Sequence, residues 1–392
     1  MTDAAETGRR RLRTLVETES PTGHREGIAT CLDLIDSWAS PALGRLGERR
    51  TVDGVDHLYW PAAGTPTVLL LAHVDTVWPI NTIAERPYLE QAGRAIGPGT
   101  FDMKAGIVAA IGALEQLADT GHVSLLVTSD EEKGSLTSRA LVEEAAGLVD
   151  AVLVPEPSLD GALKIARRGG SIYRIVFEGV AAHAGLEPEL GANALIELAH
   201  QVLAVGRAAD AGCGTTVSAT VARAGTVVNT VPADAELHLD VRAWTTSELE
   251  RVHRQLSALD AVDPRVTVTV HGGINRPPLE QERALGLLGL AKRVAEREGL
   301  PPVEGVPVGG ASDGNFTGAL GIATLDGLGP LGAGAHAPHE WVDLASMHER
   351  TQLLAGLLRE LAPPTTPARP VPVPTAGTPD HRTTAAPLEE RQ

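Results

Sequence analysis

Histidines and acids stand at the ends of four predicted strands, and a fifth polar cluster precedes a predicted helix. The four strand-end clusters carry His73 with Asp75, the acids at 130–132, Glu156 and His336, and the fifth ends at Asp102. In open α/β sheets, ligands bind beyond the carboxyl ends of the strands. We therefore expect these side chains to converge on one pocket.

The side chains of these clusters are metal ligands by type. Two histidines with several carboxylates suit Zn²⁺, with Co²⁺ or Mn²⁺ as substitutes. A catalytic zinc uses about three protein ligands and keeps one position open, so five candidate ligands exceed a single site. Five ligands fit two ions if one carboxylate bridges them, and two ions about 3.5–4 Å apart activate water and polarise a carbonyl together.

Each motif alone is only weak evidence for a metal site. An isolated HxD is common, paired acids such as Glu131 and Glu132 usually form a solvated turn, and Glu156 between two prolines is typical of a loop. The combination of motifs is stronger evidence for a metal site. Carboxylates gathered at one place repel one another, and this repulsion is unfavourable unless a cation compensates their charge.

Composition limits the function classes. The chain has 392 residues, more than one core usually supports, and a net charge of -17 that argues against nucleic-acid or membrane partners. Its two cysteines build neither a disulfide framework nor a cysteine-rich zinc site. The polar N-terminus lacks the apolar segment of a signal peptide, and these features together predict a cytoplasmic protein.

Apolar runs predict the sheet that positions the clusters. Residues 67–72, 123–128, 151–154 and 322–325 are continuously apolar, the pattern of strands buried on both faces. Apolar residues from Ile107 to Leu117 recur at helical spacing between two of these strands. The alternation predicts an α/β fold with a mostly parallel sheet and helices on both faces.

The middle of the chain has a different pattern. Residues 235–242 alternate between apolar and polar side chains, which indicates a half-buried antiparallel strand, and Ser247 with Glu250 predicts a capping box for the next helix. We predict an inserted α+β, ferredoxin-like domain at 168–278. The catalytic domain would then comprise 1–167 and 279–362, followed by a disordered tail rich in Pro and Thr at 363–392.

Six motifs follow one another between about residues 65 and 343. They are LLAHVDTVW (70–78), GPGTFDMKAG (97–106), TSDEEKGS (128–135), VPEPS (154–158), AAHAGLEPELGANAL (181–195) and GAHAPHEWVD (334–343). Together they resemble the zinc-dependent aminoacylase, acetylornithine-deacetylase and glutamate-carboxypeptidase superfamily. The resemblance implies a zinc-exopeptidase catalytic domain with an inserted domain that serves as a lid and in dimerisation.

The resemblance also implies a role for each ligand. His73 and Glu156 would hold one zinc ion, Glu132 and His336 the other, and Asp102 would bridge the two ions of each subunit. Two mild departures from the family pattern are DMKAG in place of DMKGG, and His339 where an Asp is frequent. We interpret His339 as a polar rim group.

Further catalytic roles follow from the same resemblance. Glu131 matches the general base, and Asp75 matches the acid that orients the ring of His73. The family typically has a cis peptide bond after the bridging acid, here between Asp102 and Met103.

Four residues of the inserted domain match substrate-site positions. His183 matches a histidine that reaches the scissile carbonyl, often across a homodimer, and Asn229 and Arg242 match polar lid residues. Arg276 matches an arginine that pairs with the substrate carboxylate, a role that suits its forked donors.

The folate-cleaving glutamate carboxypeptidases resemble the chain most. Their chemistry implies a small-molecule or short-peptide substrate with a free carboxylate. An N-acyl-amino-acid deacylase with the same metals is the first alternative, and an amide hydrolase of secondary metabolism is another. A non-catalytic binding protein on this fold is a remote alternative, because Glu131 and all five ligand positions are intact.

Overall fold

The computed structural model describes residues 3–362, so the predicted tail at 363–392 lies outside the described residues. Its helices are α1 Asp3–Glu17, α2 Arg25–Leu43, α3 Thr82–Glu85, α4 Ala105–Leu114, α5 Arg139–Ala146, α6 Ala194–Gly206, α7 Thr246–Ser257, α8 Glu282–Arg297, α9 Gly314–Ala319 and α10 Leu344–Leu361. None of these helices combines the length and the apolar character that crossing a bilayer requires.

The strands of residues 3–362 form one six-stranded sheet, two four-stranded sheets and two two-stranded ribbons. They are β1 Glu48–Val52, β2 Val55–Trp60, β3 Val68–His73, β4 Leu89–Gln91, β5 Arg94–Ile96, β6 Val123–Thr128, β7 Ala151–Leu153, β8 Leu163–Arg167, β9 Gly169–Glu178, β10 Ala182–His183, β11 Thr216–Ala224, β12 Thr230–Val231, β13 Asp234–Ala243, β14 Thr267–Arg276, β15 Gly305–Val308, β16 Ala323–Leu325, β17 Gly332–Ala333 and β18 Trp341–Asp343.

The central sheet has the order β1-β2-β6-β3-β7-β16. Strands β6, β3, β7 and β16 run parallel, and the antiparallel hairpin β1–β2 forms one edge. Every residue of β3 and β6 is buried, because helices cover both faces. The prediction of a mostly parallel α/β sheet is confirmed.

Alternate side chains of the central strands enter two different cores. Leu70 packs in the core that includes Ile107 and Leu354 of α4 and α10. Leu69 and Leu71 point to the opposite face and pack with Val142 of α5. The continuous apolar run of β3 is therefore needed to fill both layers, as its sequence pattern predicted.

The second sheet has the order β11-β13-β9-β14 and is antiparallel. With α6 and α7 this is the order of a ferredoxin-like unit. The sheet has a core of its own, in which Tyr173 and Phe177 pack with Leu237 and Val252. The domain boundaries at 167 and 278 stay a prediction, although all four strands lie between them.

The predicted capping box of α7 is wrong, because the N-cap residue lies two positions earlier in the chain than predicted. Thr245 is the N-cap residue, and its hydroxyl accepts a hydrogen bond of 3.3 Å from the backbone N–H of Glu248. Ser247 lies inside the first turn of the helix, because the chain becomes helical two residues earlier than the pattern indicated.

Candidate metal centre

The polar clusters of the sequence meet at the carboxyl edge of the central sheet. His73 is the last residue of β3, Glu156 follows β7, and Glu132 lies in the short turn after β6. Asp102 lies in the turn Thr100–Lys104 that leads into α4. His336 follows β17 with a φ of 60°, a backbone conformation in which histidine is more common than most residues.

A glycine allows α4 to approach the chain that carries Glu156. A Cβ atom at Gly106 would lie 1.9 Å from the carbonyl oxygen of Pro155, so no other residue fits this contact. The close approach brings the turn before α4 beside the segment after β7. The peptide bond between Asp102 and Met103 is cis, which confirms that prediction.

The five candidate ligands form two groups that share Asp102. One oxygen of Asp102 lies 3.3 Å from Nε2 of His73, which is also 3.2 Å from Glu156. The other oxygen lies 3.3 Å from Nε2 of His336, which is 3.1 Å from Glu132. Each group thus has one imidazole, one carboxylate of its own and one oxygen of Asp102.

These separations fit zinc. Two ligands bound tetrahedrally to one Zn²⁺, with bonds of about 2.0–2.1 Å, are about 3.3 Å apart. Oε1 of Glu132 is buried and lacks a hydrogen-bond partner among residues 3–362, and Oδ1 of Asp102 has only the ring of His73, at 3.3 Å, as a polar partner. Buried acceptors of this kind need a cation or a donor, because their desolvation is otherwise uncompensated.

Asp75 supports the site in two ways. Its backbone carbonyl lies 3.0 Å from Nδ1 of His73, closer than its carboxylate at 3.4 Å. Its carboxylate accepts the backbone N–H groups of Glu131 and Glu132 at 3.2 and 3.3 Å. Asp75 therefore holds both the ring of His73 and the turn that carries the predicted base.

Glu340 was not recognised in the sequence, although it closes the motif that contains His336. Its buried carboxylate accepts the indole N–H of Trp78 at 2.9 Å. It also accepts the backbone N–H groups of Gly99, Phe101 and Asp102 at 2.8–3.0 Å. Glu340 thereby fixes the turn that presents Asp102.

Arg167 and Asp326 were also missed. Asp326 directly follows β16 and pairs with Arg167 through two hydrogen bonds of 2.7 and 2.8 Å. Arg167 also lies 3.3 Å from the outer oxygen of Glu156. Arg167 therefore supplies part of the positive charge that the clustered acids require, and it orients Glu156.

Arg276 reaches the centre from the end of β14. Its guanidinium donates to Glu131 at 2.5 Å and to the hydroxyl of Ser135 at 2.6 Å. Ser135 in turn donates to the buried Asp313, which also accepts from Thr128. The predicted base and the predicted substrate arginine are thus ion-paired, and a substrate carboxylate would have to share or displace this contact.

Lys164 is a further cation that sequence reasoning missed. Its ammonium has no hydrogen bond or ion pair within the described chain, but it is attracted by Glu156, Asp326 and Asp102. Burial and repulsion from Arg167 lower its pKa. Lys164 is therefore a cation in the electrostatic field of Glu156 and Asp102 that has no direct carboxylate partner in the described chain.

The other predicted lid residues are not in contact with the cluster. His183 and Asn229 are exposed, and no hydrogen bond or ion pair within residues 3–362 joins His183 to a predicted metal ligand. Arg242 pairs with Asp240 of its own strand at 2.7 Å. His339 is exposed, and no side-chain hydrogen bond or ion pair within residues 3–362 joins it to a predicted metal ligand.

The acids of the cluster change the protonation of their neighbours. Hydrogen bonds to Asp102 and Glu132 raise the pKa of His336 to about 10. Burial alone would lower the pKa of His73, but hydrogen bonds to three acids outweigh it and raise that pKa well above its usual value. Burial raises the pKa of Glu131 to about 8, against the opposing attraction of Arg276.

We expect metal affinity to rise steeply with pH. His336, with a pKa of about 10, carries a proton at neutral pH in the metal-free chain, and the raised pKa of His73 favours its protonated form as well. Only a neutral imidazole binds metal. Metal must displace these protons, so raising the pH from 6 to 8 should strengthen binding, with a slope approaching about two protons for the pair. Zinc titration against a competing chelator at several pH values measures the slope, and an affinity independent of pH would contradict this expectation.

The fold and the ligand cluster together define the class of protein, a metal-dependent hydrolase. The chain belongs to peptidase family M20/M25/M40, whose model matches residues 69–360. Enzymes of this family use metal ions, typically zinc.

The similar proteins include a carboxypeptidase, a desuccinylase and an aminopeptidase. The chain is 30% identical to carboxypeptidase G2 of Pseudomonas sp. (strain RS-16), over 89% of this chain and 88% of that protein. It is 30% identical to succinyl-diaminopimelate desuccinylase of Xylella fastidiosa (strain M12), over 76% and 84%. Among solved structures, aminopeptidase PepT from Bacillus cereus ATCC 10987 has the same fold, with a TM-score of 0.75, 22% identity, and coverage of 91% of this chain and 99% of that one.

Proposed function

We propose that this metallohydrolase is a di-zinc carboxypeptidase that releases a C-terminal amino acid such as glutamate from a peptide or an N-acyl conjugate. The observation that carries the proposal is the division of the ligands into two groups around Asp102. His73 and Glu156 face one of its oxygens, and His336 and Glu132 face the other. Co²⁺ or Mn²⁺ are the expected substitutes for zinc.

The residues around the cluster have complementary tasks in amide hydrolysis. Bound zinc would supply Lewis acidity and lower the pKa of water. Glu131 takes the proton of the attacking water and delivers it to the leaving amine. Arg276 orients the substrate through its carboxylate, and release of Arg276 from Glu131 frees the base for this reaction. His183 would stabilise the oxyanion from a partner subunit, with Asn229 and Arg242 as further substrate contacts.

Two cations that interact with acids of the candidate metal centre support a substrate with two carboxylates. Arg276 is positioned for one carboxylate, and the ammonium of Lys164 is free of a direct ion pair in the described chain. Glutamate has an α-carboxylate and a side-chain carboxylate. A leaving group of this kind satisfies both cations, whereas a C-terminal leucine would leave one without a partner.

Lys164→Met should selectively impair the hydrolysis of substrates that release glutamate. We expect its kcat/KM to fall by about tenfold or more for 4-aminobenzoyl-glutamate, since a hydrogen bond between charged groups is lost. The value for the leucine analogue should change little. Steady-state kinetics on both substrates measures the selectivity, with Lys292→Met on the surface of α8 as the control. An equal loss on both substrates would contradict the assignment.

The alternative is an N-acyl-amino-acid deacylase, and the match to a desuccinylase favours keeping it. Two substrate panels separate the candidates. One contains folate and peptides with C-terminal glutamate, and the other contains N-acetyl and N-succinyl amino acids. The proposal predicts turnover of the first panel, and turnover of the second panel alone would overturn it.

A homodimer through the lid is also part of the proposal. Strand β11 is the edge of the lid sheet, and beside it α6 exposes Ile196 (55%) and Leu203 (71%), while β11 exposes Val221 (39%). An apolar edge strand is a template for pairing with a second copy. We place the protein in the cytoplasm on its sequence features alone.

Sedimentation velocity should give a species of twice the 40.9 kDa chain mass. Replacing both Leu203 and Val221 by Lys should give monomers, because charge at an apolar interface is costly. The control is a pair of lysines at the exposed positions Leu46 and Leu136. A monomeric parent protein would refute the dimer.

A further inference from the structure

A cavity in the predicted catalytic domain shares no residue with the metal centre. It has a volume of about 380 Å³ and lies between the turn at 160–162, the segment 300–304 and helix α10. Its walls are largely apolar and include Leu300, Pro302, Val303, Leu331 and Leu353. This size and this lining are typical of small-molecule sites, which add a few polar groups to an apolar wall.

Arg350 is the cation among the polar residues that line this cavity, which also include Ser346 and three acids. The residue is only 7% exposed, although it lines the cavity. Its Nη2 donates to the backbone carbonyl of Gly161, the one hydrogen bond of its guanidinium within residues 3–362. A guanidinium has five N–H donors, so most of its donor capacity is unused. No carboxylate of the described chain lies within ion-pair distance of it.

Acids at the rim of the cavity do not neutralise this charge. Glu304 pairs with Lys292 at 2.6 Å, and Asp160 is exposed. Glu349 precedes Arg350 and attracts it only at longer range. Burial lowers the pKa of Arg350 to about 10, a sign that its charge lacks compensation. The rim acids instead disfavour ligands with more than one negative charge.

We propose that this cavity binds a small molecule with a single carboxylate on a compact apolar body, and that Arg350 holds the carboxylate. The planar fork of a guanidinium matches a carboxylate geometrically, and the apolar wall accepts an aliphatic or aromatic body. The acids at the rim disfavour phosphates and dicarboxylates, which carry more than one negative charge. The ligand therefore differs from the two-carboxylate substrate proposed for the metal centre.

Phenylacetate and its uncharged analogue phenylacetamide are suitable probes. Calorimetry on the metal-loaded, full-length protein should give saturable binding of the acid, and at least about tenfold weaker binding of the amide. Arg350→Met should weaken the binding of phenylacetate by a similar factor. Arg359→Met, an exposed arginine of the same helix, is the matched control and should bind as the parent protein does.

Hydrogen exchange on the parent protein supplies a readout that needs no variant. Phenylacetate should slow exchange at 160–163 and 300–305, and phenylacetamide at the same concentration should not. Unchanged binding in Arg350→Met would mean that the acid binds elsewhere, for example at the metal centre, and would overturn the proposal. Equal binding of the amide, or no protection of these two segments, would overturn it as well.

Discussion

Glu131→Gln should abolish most turnover and leave the metals in place. The substitution keeps the size of the side chain and an acceptor for Arg276, but an amide takes no proton from water. General-base catalysis accelerates a reaction by about 10²- to 10⁴-fold, so we expect kcat to decrease by a factor in that range. Steady-state kinetics and metal analysis of the same preparation measure both effects.

The matched control for this variant is Glu144→Gln, an exposed glutamate on α5. It should retain both the kcat and the metal content of the parent protein. Near-normal turnover in Glu131→Gln would remove the base assignment. Loss of metal from that variant would place Glu131 among the ligands instead.

Asp102→Ala should remove both metal ions, whereas His336→Ala should remove one. Asp102 contributes an oxygen to each ligand group, but His336 contacts only the group that contains Glu132. The turn itself should persist, since Glu340 holds its backbone rather than its side chain. Elemental analysis after gel filtration should therefore give about zero ions for the first variant and about one for the second.

His339→Ala is the control for the histidine variant, because it lies three residues away on the same loop and is exposed. It should retain both ions. An Asp102→Ala protein that keeps one tightly bound ion would show that Asp102 does not bridge. Equal losses in His336→Ala and His339→Ala would show that disruption of the loop, rather than loss of a ligand, lowers the metal content.

The central sheet was predictable because the burial of a strand determines which residue types its sequence contains. Strands covered on both faces must be apolar throughout, and β3 and β6 are. Alternation marked β13 as half-buried, and its buried and partly exposed residues do alternate. The cap of α7 was misplaced because Thr245 and Ser247 are both good N-cap residues, and only the backbone path decides between them.

The site was predictable where it depends on strand ends and motifs, and hidden where it depends on long-range pairing. His73 and Glu156 are recognisable because His73 ends a buried strand and Glu156 closely follows another. Arg167, Arg276 and Lys164 come from other segments, and nothing in their local sequence indicates which acid they approach. Glu340 accepts backbone N–H groups, a task that many buried acids perform and that residue type alone does not identify.

Metal stoichiometry tests the central claim most directly. Protein purified without chelator and reconstituted with Zn²⁺ should bind two ions per chain. Anomalous diffraction at the zinc edge should give two peaks about 3.5–4 Å apart, one on each side of Asp102. A single peak, or two peaks without Asp102 between them, would contradict the two-metal account.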